Sequence, residues 1–159
     1  MLEIPVALVR SIWGHARRDH PDEACGVLAG PAGSDRPTRF VPMVNGARSP
    51  TFYEFDPADL LALYREMDAR DEEPVVVYHS HTATGAYPSR TDVALAAEPG
   101  AHYVLVSTRT PDDEEFRSFR IVDGVVTEEE VRIVADTAAP GTGATGATGA
   151  TGSLSPPSE

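Results

Sequence analysis

The stretch Pro74-Val75-Val76-Val77-Tyr78 runs without a break into His79-Ser80-His81. A short, continuous run of β-branched and aromatic side chains belongs in a strand buried on both faces, at the centre of a sheet. Such a strand needs helices on either side to cover it, and the chain supplies them. Val6, Leu8, Val9, Ile12, Trp13 and Ala16 recur near helical spacing from about Pro5 to Asp19, with Pro5 suited to a first turn. Asp56-Pro57 opens a second helix with an apolar face at Leu60, Leu61, Leu63, Tyr64 and Met67. Ser89 to Ala97 reads as a third, stopped by Pro99-Gly100. Further strands are expected at Ala24–Gly30, Phe40–Val44, Thr51–Phe55, His102–Ser107, Glu115–Val122 and Val125–Val134. Asn45-Gly46 and Asp123-Gly124 supply turn signals between them. The order predicts an α/β domain, with one mixed, curved β-sheet flanked by helices.

The 159 residues suit one domain, and 41% hydrophobic residues suffice for a core. From about residue 135 the composition changes to Gly, Ala, Thr and Pro with almost no large apolar side chains. Ordering such a segment costs entropy with little burial in return, so residues 1–134 are expected to fold and 135–159 to form a disordered tail. Only Asp136 and Glu159 carry charge in that tail, so nearly all of the net charge of -12 belongs to the folded part. That field repels phosphate backbones and argues against nucleic acid as a partner. All thirteen basic residues are arginine. One cysteine, Cys25, excludes an internal disulfide and reads as a small buried apolar group. No membrane-length apolar run or signal pattern is visible, so a cytoplasmic protein with no membrane association is expected. The oligomeric state is left open, a homodimer included.

The chemistry concentrates at the end of the central strand. In a strand, residues i and i+2 share a face, so His79 and His81 project two imidazoles together. Seven residues later the helix beginning at Ser89 offers Asp92 in its first turn. Two histidines and one aspartate leave the fourth tetrahedral position of a zinc ion to water, the pattern of a catalytic site. Hydrolysis also needs a carboxylate outside the metal shell to move protons, and Glu23, beside the strand at Ala24, is the candidate. Ser89 has a hydroxyl suited to a developing oxyanion. The same residues have plainer readings. Ser89 and Asp92 fit a helix-capping pair, isolated histidines are commonly surface or hydrogen-bonded groups, and an acidic residue at a helix-to-strand junction is commonly solvated. His15, His20 and His102 show no ligand pattern and are expected to be structural.

Taken together, Glu23, then His79-Ser80-His81, seven residues, and Ser89-Arg90-Thr91-Asp92 resemble the signature of the JAMM, or MPN-plus, metalloprotease family. The resemblance spans most of residues 1–134. It implies a single MPN (JAB1/MPN-like) domain and one zinc ion held by His79, His81 and Asp92. It also implies Glu23 as acid and base, and Ser89 as stabiliser of the tetrahedral intermediate. The stretches His15–Gly30, Tyr78–Thr84 and Ala86–Val93 are similar to an actinobacterial branch of that family. Members of that branch release cysteine from the C-terminal glycine of a ubiquitin-like sulfur-carrier protein, in cysteine biosynthesis. The motif encodes a reaction and not its substrate. A peptidase, isopeptidase or amidase acting on another ubiquitin-like protein or a small amide therefore stays open, as does a non-catalytic scaffold.

Overall fold

The computed structural model describes residues 1–137. Its elements run β1 (Leu2–Pro5), α1 (Val6–Asp19), β2 (Cys25–Pro31), β3 (Arg39–Met43), α2 (Pro57–Ala69), β4 (Glu72–His81), α3 (Arg90–Leu95), β5 (His102–Ser107), β6 (Glu115–Val122), β7 (Val125–Glu129) and β8 (Val131–Val134). Six strands form one mixed sheet in the order β3-β2-β4-β5-β6-β7. Only β4 and β5 pair in parallel within it. The uninterrupted apolar run is therefore a central strand, buried from Val75 to His81.

Alternation along β4 divides the core between two layers. Val76 and Tyr78 face α1, where they pack with Leu8, Ile12, Trp13 and Ala16. Val77 points to the opposite face, toward Tyr103, Leu105 and Phe119. On that face α2 seats Leu63 and Met67 against Cys25, Val27 and Ala29 of β2. The two histidines of β4 share the parity of Val77, so they emerge on the α2 and α3 side.

Tyr78 lies flat across β2, and this is possible because Gly26 stands opposite it. A Cβ at position 26 would overlap the Tyr78 ring and hydroxyl. Gly26→Ala is therefore expected to cost about 3 kcal/mol through overpacking. A lowered denaturation midpoint with an unchanged slope would show it.

Three sequence expectations are corrected. Thr51–Phe55 forms no strand; a single bridge, Asn45 to Phe55, is all that remains of it. Tyr53 and Phe55 instead turn inward and pack against the α2 layer. The strand expected over Val125–Val134 breaks at Glu130, and its second half leaves the main sheet to pair in parallel with β1. The strand β1 carried too few residues to show a period. The third helix is also shorter than expected, with Ser89 as its N-cap and Ala96 as its C-cap.

The described contacts run past residue 134. Pro5 gives α1 no capping side chain. Asp136 supplies one from the far end of the chain, its Oδ1 accepting the Ala7 N–H at 2.9 Å. Truncation after Val134 should thus cost about 1 kcal/mol relative to truncation after Thr137, as loss of a cap does. Paired thermal melts of the two truncations would measure it. The remainder of the expected tail, residues 138–159, lies outside the described residues. Among the described residues no helix is long and apolar enough to cross a membrane.

Candidate metal centre

His79 and His81 occupy the last turn of pleat on β4, clamped by β2 on one side and β5 on the other. Both rings are buried. Asp92 arrives from α3, whose start is fixed by a reciprocal pair of hydrogen bonds. Ser89 Oγ accepts the Asp92 N–H at 3.1 Å, and Asp92 Oδ2 accepts the Ser89 N–H at 2.8 Å. That same Oδ2 lies 3.1 Å from His79 Nε2 and 3.0 Å from His81 Nε2. The two imidazole nitrogens are 3.2 Å apart. Capping and clustering thus fall to one oxygen, and the plainer reading of Ser89 and Asp92 as a cap holds alongside the other.

These three atoms fit a metal. Zinc bonds of about 2.0–2.1 Å at tetrahedral angles set neighbouring ligand atoms roughly 3.3 Å apart. The tautomer of His81 also fits. Its Nδ1 lies 2.9 Å from the Gly85 carbonyl, which can only accept, so Nδ1 carries the proton and Nε2 presents a bare lone pair. Bare nitrogen and carboxylate oxygen at 3.0 Å repel unless a proton or a cation joins them. Two imidazoles and a carboxylate form a nitrogen and oxygen donor set that zinc accepts readily. Tyr53 stacks on the His79 ring with centroids 4.4 Å apart, and His79 Nδ1 is buried without a protein partner.

Where protons take the place of a cation between the three ligand atoms, burial pushes the Asp92 carboxyl up, but hydrogen bonds from the protonated His79 and His81 nitrogens and from the Ser89 amide outweigh it and hold it well below the usual carboxylate range. Burial lowers His79 and favours its neutral form. Burial also opposes charge on His81, but Asp92 and the Gly85 carbonyl raise it overall. Metal binding at such a site releases protons and strengthens as pH rises.

Glu23 reaches the cluster through strand register. Cys25 pairs with His79, and the next step is fixed by Ala24 N–H to Ser80 Oγ at 2.8 Å and Ser80 N–H to Ala24 O at 2.9 Å. One further step sets Glu23 opposite His81. Its backbone N–H donates to Ser49 O at 2.9 Å, and Asn45 Nδ2 donates to its carbonyl at 3.0 Å. The residue is only 4% exposed. Burial, with Asp92 adding in the same direction and His81 opposing, pushes its carboxyl up to about 7. A carboxyl titrating there can both take and return a proton near neutral pH.

Cys25 is fully buried and its thiol is pushed up to about 12, chiefly by burial, which leaves no thiolate for nucleophilic attack. His15 bonds the Tyr78 hydroxyl and Asp19, His20 bonds Thr108 Oγ1, and His102 sits between Glu129 and Asp35. None of these joins the cluster. Tyr53, the Gly85 carbonyl, Ser80 and Asn45 were not anticipated as parts of the site. Asn45 had read as a turn residue. It is buried, with Nδ2 donating to Glu23 and Phe52 carbonyls while Oδ1 accepts from Ala47 and Glu54 amides. An apolar groove of about 360 Å³, lined by Tyr53, Phe55, Leu63, Tyr64, Val77 and Tyr103, reaches the centre at Tyr53.

The chain is similar to several known proteins. The CysO-cysteine peptidase of Mycobacterium tuberculosis is 66% identical over 134 residues, which cover 84% of this chain and 92% of that protein. The desampylase of Haloferax volcanii is 36% identical over 102 residues, covering 61% of this chain and 73% of that protein. The solution structure of a Desulfitobacterium hafniense protein superposes with a TM-score of 0.75 at 31% identity, covering 86% of this chain and 94% of that one. The family model for prokaryotic homologs of the JAB domain matches residues 5–122, and the chain belongs to that family.

Proposed function

We propose that the protein is a zinc peptidase that hydrolyses the amide between the C-terminal glycine of a ubiquitin-like sulfur-carrier protein and cysteine, releasing cysteine. The observation that carries this reading is the convergence of His79 Nε2, His81 Nε2 and Asp92 Oδ2 beside the buried Glu23. The extensive identity to a protein named CysO-cysteine peptidase supports the choice of substrate.

A zinc ion held by His79, His81 and Asp92 would polarise the glycine carbonyl and acidify a water beside it. Glu23 takes a proton from that water as its oxygen bonds to the glycine carbonyl carbon. It then hands the proton to the cysteine nitrogen as the C–N bond breaks, which yields a glycine carboxylate and free cysteine. The Ser89 oxygen accepts the Asp92 amide, which leaves the hydroxyl proton free to donate to the carbonyl oxygen as charge builds there. His81 is kept in its ligating tautomer by Gly85, and Ser80 and Asn45 keep Glu23 in register with it. The reaction suits the cytoplasm, where the lone buried thiol stays reduced.

A second reading, cleavage of a conjugate on another ubiquitin-like protein, is favoured by the similarity to a desampylase. Rates on a carrier–Gly-Cys adduct, on a lysine-linked carrier conjugate and on free short peptides would separate the two. The proposed function expects the first to be fastest and each rate to be lost to a chelator. A faster rate on the lysine conjugate would favour the second reading. Equal, chelator-insensitive background on all three would contradict both and leave a scaffold.

A further inference from the structure

Glu23, the group that would protonate the leaving amine, also belongs to the lining of a second cavity, of about 460 Å³. Its charged lining consists of Arg18, Asp19, Asp22, Glu23 and Arg48, with His15 at its inner wall. These charges are not equivalent. Asp19 is engaged by His15 Nε2 at 3.0 Å and by Arg18 at 3.6 Å, so Arg18 and Asp19 largely neutralise each other. Arg48 has no carboxylate within 4.0 Å among the described residues, and Asp22 in the same cavity is beyond that reach too. Four of the thirteen arginines, Arg10, Arg48, Arg65 and Arg90, lack a carboxylate within that distance among the described residues, and of these only Arg48 lines the cavity that Glu23 lines.

The backbone holds Arg48 in place. It has φ of 44°, a left-handed conformation that costs a non-glycine residue on the order of 1 kcal/mol. Its N–H donates to Asn45 O at 3.1 Å, and Asn45 in turn binds the Glu23 carbonyl. The carbonyl of the next residue, Ser49, accepts the Glu23 N–H. The loop bearing Arg48 is thus bonded to the Glu23 backbone on both its N–H and its C=O.

We infer that Arg48 binds the free α-carboxylate of the residue being released, and so restricts the enzyme to removing a single C-terminal amino acid. This rests on the peptidase reading above. In a Gly-Cys terminus the α-carboxylate lies two bonds from the nitrogen that Glu23 protonates. An amine protonated by Glu23 from this cavity would carry its carboxylate into the space that Arg48 lines. A guanidinium matches a carboxylate with two parallel hydrogen bonds, which a carboxamide or a lysine-linked conjugate cannot reproduce at that position.

The test compares a ubiquitin-like carrier ending in Gly-Cys with the same carrier ending in Gly-Cys carboxamide, using zinc-loaded wild type, Arg48→Gln and Arg48→Lys. Wild type should prefer the acid by about 10- to 100-fold in kcat/KM, the loss typical of a charged hydrogen bond. In Arg48→Gln the rate on the acid should fall to that on the amide, and Arg48→Lys should restore part of the preference. Equal wild-type rates on the two termini would overturn the carboxylate site while leaving the peptidase reading intact. So would an Arg48→Gln protein that keeps the preference, or that slows both substrates by the same factor. Wild type that cleaves neither substrate would remove the peptidase reading, and the carboxylate site with it.

Discussion

His81→Ala should purify without stoichiometric metal and hydrolyse a carrier–Gly-Cys adduct no faster than buffer, where wild type is expected to carry about one zinc per chain. The reason is geometric. His81 Nε2 stands 3.2 Å from His79 Nε2 and 3.0 Å from Asp92 Oδ2, so its removal opens one corner of a three-atom cluster. Asp92→Ala should fail in the same way and should also melt earlier. It loses the acceptor for the Ser89 N–H at 2.8 Å, an interaction that holds the start of α3, at a cost of about 1 kcal/mol. Elemental analysis by mass spectrometry, with melting curves on the metal-free proteins, separates the two effects. Full metal content in His81→Ala would mean that the ion sits elsewhere.

Glu23→Gln should keep its zinc and lose about 10³-fold in kcat, because the amide retains the shape of the carboxylate but cannot take up a proton. The same substitution should stabilise the metal-free protein, in a pH-dependent way. Burial raises the folded-state carboxyl of Glu23 from 4.5 to about 7. Between those values the folded chain binds more protons at this site than the unfolded chain, so Glu23 makes wild type less stable as pH rises through that window. Glutamine has nothing to ionise. The stability difference in favour of Glu23→Gln should therefore be near zero at pH 4, grow toward pH 7, and level off above it at about 3 kcal/mol. Denaturant titrations of chelated protein across that range measure it. A fully active Glu23→Gln would remove Glu23 from the chemistry. A stability difference that does not change with pH would show that its carboxyl is not perturbed by burial.

Much of this site was legible in the sequence because it is built from local rules. The apolar run at Val75–Tyr78 marked the central strand, and the two-residue period then put His79 and His81 on one face. Ser89 and Asp92 announced a helix start, and it is the reciprocal cap that aims Asp92 at the histidines. Glu23 was harder. Nothing local distinguishes it, and its place depends on the antiparallel register that pairs Cys25 with His79 across more than fifty residues.

What escaped the sequence is tertiary in origin. Thr51–Phe55 has strand-like composition, yet its aromatic rings are better buried against α2 and His79 than displayed on a sheet edge. Asn45 reads as a turn residue, and only the fold reveals that its side chain satisfies four backbone groups around Glu23. The strand β1 owes its existence to β8, which leaves the main sheet to reach it. Asp136, read as part of the tail, caps α1 from the far end of the chain.

Hydrolysis at a carrier's terminal glycine is tested most directly by intact mass spectrometry of the carrier. The zinc-loaded protein would be incubated with a carrier–Gly-Cys adduct in water enriched in oxygen-18. The expected product is a carrier that has lost one cysteine residue and gained a single heavy oxygen in its new terminal carboxylate, with free cysteine carrying none. An adduct of unchanged mass after prolonged incubation with stoichiometrically metallated protein would contradict the account.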